Sequence, residues 1–183
     1  MGWKNWKKTS RMQVVSDSDV IIHLAKLDKL TLIKGLYESA FIPEYVKSEI
    51  MRYQYDEAGI IEDGVRQGIL KVHKTDESRA RNIARRYGIH IGEAHAKELA
   101  EDLHAKIFLS NERKVRVVAK EEKFSVVGTI GIILRGANQG YLTKEEAVKL
   151  LNRLKASEFR IHPSIANHAI DSLKKWRQNE QSV

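Results

Sequence analysis

Short runs of β-branched and apolar residues alternate along the chain with longer stretches in which apolar residues recur every three or four positions. Gln13 to Ser16 reads as a first strand that runs straight into Asp17, and Val20, Ile21, Leu24 and Ala25 then recur at helical spacing. Leu30, Ile33, Leu36 and Tyr37 mark a second short helix, and Ala40 to Ile42 a second strand. Pro43 suits the first turn of a helix that turns Val46 and Ile50 inward. A polar helix over Glu57 to Arg66 ends at Gly68, before a third strand, Ile69 to Val72. Ser78 to Tyr87 predicts a basic helix stopped by Gly88, and Gly92 to Leu103 a helix with Ala96, Leu99, Ala100 and Leu103 on one face. A fourth strand, Lys106 to Leu109, precedes a helix with Val115, Val118 and Ala119 inward, and Ser125 to Val127 is a short fifth strand. Beyond Gly128 the pattern is helical: Thr143 to Glu146 fits a capping box, and Ile165, Ala169, Ile170 and Leu173 mark a last amphipathic helix.

Strands alternating with helices predict an α/β protein with three layers, α/β/α, around a parallel sheet of four to five strands. Ligands of such sheets gather at the carboxyl ends of the strands. A length of 183 residues suits one domain with a small extension. The expected division is a basic extension over 1–11, a core over 12–140 beginning at Met12, and a helical segment over 141–183. The formal charge of +8 favours polyanionic partners, nucleic acid first, although solubility alone also accounts for it. Cysteine is absent, which excludes disulfides, zinc–thiolate sites and cysteine nucleophiles and suits a reducing cytoplasm. No apolar run is long enough to span a bilayer, so no membrane partner is expected. The N-terminus sets Trp3 and Trp6 among lysines and has no apolar stretch of signal-peptide type.

The sheet rule directs attention to acids. Asp17 follows the first strand and Glu112 the fourth, so both should leave the same edge; Glu49 lies on the helix after the second strand, and Glu93 opens the helix before the fourth. Asp19 is close enough to join them. Clustered carboxylates raise one another's pKa, and a hard divalent cation such as Mg²⁺ or Mn²⁺ reverses this. Such a site polarises a phosphate and activates water. Taken singly, an acid at a helix start more often caps the helix or complements its dipole.

Five blocks in order resemble a known family. Val14-Val15-Ser16-Asp17-Ser18-Asp19-Val20 looks like the opening of a PIN domain, where an apolar strand delivers an Asp followed by Ser or Thr. Phe41-Ile42-Pro43-Glu44-Tyr45-Val46-Lys47-Ser48-Glu49-Ile50 resembles the second block, which ends in an acid. Gly92-Glu93-Ala94-His95-Ala96 resembles Gly-Glu-Ala-Glu-Ala in a branch related to the VapC toxins. Phe108-Leu109-Ser110-Asn111-Glu112-Arg113-Lys114-Val115-Arg116 is similar to that branch's Leu-Leu-Leu-Asp-Asp-Arg-Lys-Ala-Arg, and the stretch Val126 to Arg135 also matches it. The resemblance implies a PIN-like three-layer fold and a nuclease core over 12–140. It implies a metal-holding catalytic tetrad of Asp17, Glu49, Glu93 and Glu112, with Ser18 and Ser110 as hydroxyl neighbours. The implied activity is metal-dependent hydrolysis of RNA. Proteins of this kind are often toxins held by an antitoxin, and often dimeric, so an antitoxin and a homodimer are the implied partners. At the fourth block the chain departs, with Asn111 and Glu112 where two aspartates are usual. A non-catalytic PIN-like module that binds RNA or protein therefore stands as the alternative, beside a PIN nuclease of RNA maturation.

Arg113, Lys114 and Arg116 follow the fourth strand and are, with Asn111, candidates for contact with substrate. Arg79, Arg81, Arg85 and Arg86 wrap a helix that either grips phosphates or is a solvated face paired with acids. None of the seven histidines forms a metal-binding HExxH pair, and a surface position is expected for those flanking Glu93, His90 and His95. Trp176 suits the apolar face of the last helix.

Overall fold

A computed structural model describes residues 13–52, 56–116, 125–156 and 162–175. The stretch with Trp3, Trp6 and Met12, the expected inward positions of Val118 and Ala119, and Trp176 lie outside the described residues.

The chain falls into two compact units, dividing between Gly128 and Thr129. The first holds five parallel strands: β1 (Val14–Ser16), β2 (Ala40–Pro43), β3 (Leu70–His73), β4 (Ile107–Leu109) and β5 (Ser125–Val127), in the order β3-β2-β1-β4-β5. Between them run α1 (Ser18–Lys26), α2 (Thr31–Tyr37), α3 (Glu44–Arg52), α4 (Ala58–Arg66), α5 (Glu77–Tyr87) and α6 (Ile91–Asp102). Residues 113–116, after β4, are also helical. The five expected strands and the parallel three-layer architecture are all present.

Strand register shows how the sheet is covered. Val15 pairs with Phe41 on one side and Phe108 on the other, and Phe108 pairs with Val126. Side chains alternate across a strand, so these four share a face. Ala96, Leu99 and Ala100 of α6 pack onto it, with Val115 and Leu103 at its margin. The alternate residues Val14, Ala40, Ile42, Ile107 and Leu109 are buried as well, so the central strands are covered on both faces, whereas Lys71, Val72 and His73 of the edge strand β3 are exposed. This is why the central strands are almost wholly apolar. Several boundaries shift by a residue from expectation, and one changes a role: Pro43 ends β2, paired with His73, and α3 begins at Glu44. Proline needs no N–H partner at a strand terminus and stops the ladder there.

The second unit holds α7 (Thr129–Asn138), α8 (Lys144–Ala156) and α9 (Pro163–Lys175), each packed on the other two. Ala147, Leu150, Leu151 and Leu154 of α8 are buried, as are Ala166, Ala169, Ile170 and Leu173 of α9. The capping box before α8 is formed: Thr143 N–H donates to Glu146 Oε2 (2.7 Å), and Glu146 N–H to Thr143 Oγ1 (3.1 Å). Among the described residues no helix is long and apolar enough to cross a membrane.

Candidate active site

Backbone hydrogen bonds continue the sheet one residue past its strands. Asp17 N–H donates to Leu109 carbonyl (3.1 Å) and Ser110 N–H to Val127 carbonyl (3.1 Å), so Asp17 and Ser110 leave the carboxyl edge side by side. Asp17 caps α1, with Oδ1 accepting from Val20 N–H at 3.3 Å. The side chain is buried, and among the described residues no donor meets Oδ2 in hydrogen-bonding geometry. Burial pushes its pKa up to about 7. The Ser110 hydroxyl alongside offsets part of that rise, the charge of Asp19 adds to it, Val20 N–H opposes it, and the charge of Glu93 adds a last increment.

Glu93 lies at the start of α6 and forms a capping box with His90: Glu93 Oε2 accepts from His90 N–H (3.0 Å), and His90 Nδ1 accepts from Gly92 N–H (3.4 Å). Its pKa is raised, by burial first; His90 N–H opposes the rise, the charge of Glu112 adds to it, and His90 and Lys114 counter it. Glu49, on α3, sets its carboxylate against the same helix start. A Cβ on Gly92 would stand 3.1 Å from Glu49 Oε2, so the glycine is what permits the approach. Glu112 is exposed, and its N–H donates to Ser110 Oγ at 3.1 Å.

The four acids thus gather at one edge of the sheet, around the first turn of α6. Asp17 and Glu93 do the capping that ordinary helix starts require, and among the described residues no three His, Asp or Glu side chains close on one point as a metal ion would need. The donor chemistry still fits a hard divalent cation: every donor is a carboxylate, and one buried oxygen, Asp17 Oδ2, has no proton donor.

Asp19 and Asn111 are joined through a histidine. Asn111 Nδ2 donates to Asp19 Oδ2 (2.9 Å) and lies 3.1 Å from His23 Nδ1, while His23 Nε2 lies 3.1 Å from Asp19 Oδ1. The set is consistent with the ring proton on Nε2. Burial works to raise the Asp19 pKa, but the bond and charge of His23 and the bond from Asn111 outweigh it and hold it below its usual value. The other face of Asn111 packs on Gly128, where an added Cβ would meet Oδ1 at 2.7 Å and Arg116 Nη2 at 3.1 Å. Asp19–His23 is an i,i+4 pair that helical spacing could have exposed; its link to Asn111 spans 92 positions.

Among the remaining candidates, Ser18 opens α1, Ser110 is fully buried, and Arg113, Lys114 and Arg116 are exposed. Lys114 Nζ donates to Gly88 carbonyl at 3.0 Å, which ties it to the end of α5. His95 is not a surface residue: it is 2% exposed, stacked on Tyr45 (centroids 4.4 Å, planes 14° apart). Its Nδ1 is 2.7 Å from Thr75 Oγ1. Its Nε2 lies 3.0 Å from Glu77 Oε2, but off the line a hydrogen bond needs. Partners on α3, on α5 and in the loop before α5 make this burial tolerable, and none of them is near it in sequence.

A parallel sheet of this order with acids at its carboxyl edge defines an α/β protein whose acidic cluster stands where such sheets gather their ligands. Residues 13–175 match the PIN domain family, and the chain belongs to it. PIN domains are generally nucleases; they bind nucleic acids, and their catalysis generally uses divalent metals. The crystal structure of PAE2754 from Pyrobaculum aerophilum is similar over 70% of this chain and 98% of that one, at 14% identity and a TM-score of 0.47. No curated protein matches the chain.

Proposed function

We propose that the protein is a divalent-metal-dependent endoribonuclease that hydrolyses RNA phosphodiester bonds. The observation that carries this reading is Asp17: a buried carboxylate beside further acids, with one oxygen that meets no partner and no cationic side chain acting on it among the described residues. A fold that buries an acid among acids pays for it unless a cation arrives. Asp17, Glu49, Glu93 and Glu112 would hold Mg²⁺ or Mn²⁺, and when bound such an ion supplies charge stabilisation at the phosphoryl group and an activated water.

The chain's own groups do the rest. The cap on α1 fixes Asp17, and the Ser110 hydroxyl holds the backbone that carries Glu112. Ser18, Ser110, Asn111, Arg113, Lys114 and Arg116 would face the substrate, the cations countering its phosphates. RNA as substrate, a role as the toxin of a toxin–antitoxin pair, an antitoxin partner and a homodimer are supported by the sequence blocks alone; work in RNA maturation is the neighbouring role. A second reading, a non-catalytic RNA- or protein-binding module, is favoured by Asn111: its amide is engaged with Asp19 and His23 where the related branch has an aspartate.

Cleavage of a labelled mixed-sequence RNA with Mn²⁺, Mg²⁺ or EDTA, by the native protein beside Asp17→Asn, tests the two. Metal-dependent cutting that vanishes in the variant is expected. RNA binding without cutting in any metal would overturn the nuclease and leave the module.

A further inference from the structure

The arginines of α5 do not form one population. Arg79, in the first turns, is held by α6: its Nη1 lies 2.8 Å from Asp102 Oδ1 and 3.2 Å from Glu98 Oε1, and its Nη2 lies 3.7 Å from Glu101 Oε2. Arg81 Nε bonds Glu77 Oε1 at 2.8 Å. Both are committed to internal carboxylates. Arg85 and Arg86, in the last turn, are exposed, and among the described residues neither has a carboxylate within ion-pair distance. Arg86 instead lies over the ring of Tyr87, 5.1 Å from its centroid, which holds the guanidinium without neutralising it.

The uncommitted pair is at the end of the helix next to the acids. Gly88 caps α5, and its carbonyl accepts from Lys114 Nζ at 3.0 Å. The same lysine's charge acts on Glu93. The last turn of α5 is therefore one lysine side chain from the acidic centre, and Arg113, also exposed, stands beside that lysine in the chain. A helix C-terminus favours cations through its dipole, but that needs only one of them and leaves the guanidinium edges facing water.

We propose that Arg85 and Arg86 form a phosphate track for the strand that the acidic centre cuts, taking the phosphates of nucleotides on one side of the break. The proposal rests on the nuclease reading above and adds to it the residues that hold the flanking strand: a substrate must extend past the break as far as the last turn of α5, which a mononucleotide or a short end does not. A single strand fits because contacts confined to one helix turn follow one backbone and read no groove.

The test is binding of a long labelled single-stranded RNA in EDTA across a range of salt. It compares the native protein, the Arg85→Gln/Arg86→Gln double variant and Arg81→Gln. Each lost phosphate contact lowers the slope of log affinity against log salt by about 0.7 for single strands. The double variant should lose about 1.4 in slope and roughly tenfold in affinity, at an unchanged melting temperature; Arg81→Gln should keep the native slope. Equal slope and affinity in native and double variant overturn the track, and if the native protein still cuts RNA with Mn²⁺ the nuclease reading stands without it. A native protein that neither binds nor cuts RNA overturns both. Loss in the double variant matched by Arg81→Gln also overturns the track, because general charge would then be the cause.

Discussion

Two buried acids, Asp17 and Glu98, are treated by the fold in opposite ways. Each is almost fully buried, and each leaves one oxygen without a partner among the described residues. The pKa of both is raised, with burial the largest cause. Glu98, on the side of α6 facing α5, receives Asp76 N–H at 3.3 Å and has the guanidinium of Arg79 at 3.2 Å; the charge of Asp102 also raises its pKa, but the same arginine holds Asp102 at 2.8 Å. Asp17 receives a backbone N–H and a neighbouring hydroxyl, and the charges that act on it are those of Asp19 and Glu93. Where the acid serves packing, an arginine on the next helix answers it. At the sheet edge the fold adds more acids, which is a stability cost that structure alone does not explain. The difference marks the carboxyl edge as the place where a cation from outside is expected.

The strongest way to break this contrast is Asp17→Asn at alkaline pH without metal. The folded-state pKa, about 7, lies above the ordinary 3.8, so the folded state binds the proton more tightly than the unfolded chain. Stability from this group is complete below pH 3.8 and is lost as pH rises through about 7. At pH 8 removing the charge should stabilise the fold by up to about 4 kcal/mol, at 1.36 kcal/mol per pKa unit. The figure is an upper bound, because the new amide nitrogen needs an acceptor. Thermal unfolding from pH 5 to 8 should show a fall in the native protein that is much flatter in the variant; parallel curves would mean that Asp17 is not the strained group.

Divalent cation comes next in size. At pH 8, Mn²⁺ at a hundredfold excess over its dissociation constant should stabilise the native protein by about 2.7 kcal/mol and Asp17→Asn far less. Equal shifts in both would place the ion elsewhere. For Glu98 the opposite holds. Arg79→Ala should lower the melting temperature by stranding a buried acid, and Glu98→Gln should recover much of that loss in the double variant while RNA cutting stays native. If Arg79→Ala abolished cutting without unfolding, Glu98 would belong to the site and the contrast would fail.

Much of this was legible in the chain. The central strands β1, β2 and β4 are β-branched or apolar runs covered on both faces, and Asp17, Pro43 and Gly128 mark the ends of β1, β2 and β5, so the pattern was strong. The placement of Asp17 and Glu112 beyond β1 and β4 follows from the carboxyl-edge rule. What could not be read was pairing across distance. The partners of His95 come from α3, from the residues before α5 and from α5 itself, so a polar ring looked like a surface residue. Arg81–Glu77 is an i,i+4 pair visible to inspection, whereas the partners of Arg79 lie 19 to 23 positions away on α6. Asn111 looked like a lost carboxylate; its role as a bridge between Asp19 and His23 needed the strand order that brings β4 beside β1.

The smallest expected effect concerns how the two helices that carry Glu49 and Glu93 are held together. Tyr45 is one turn before Glu49 on α3, and His95 is two residues after Glu93 on α6; their rings stack at 4.4 Å. An aromatic pair contributes about 0.5–1.5 kcal/mol beyond its buried area. His95→Ala should therefore lower the melting temperature by a few degrees in a protein of this size. His95→Phe keeps the stack and gives up the links to Thr75 and Glu77, so it separates the two contributions. A clamp that matters for the acids would let His95→Phe keep the native metal-induced shift in melting temperature while His95→Ala weakens it. If both variants lose stability but keep the full shift, the stack is packing of the Glu98 kind, and Glu49 is placed by Gly92 alone.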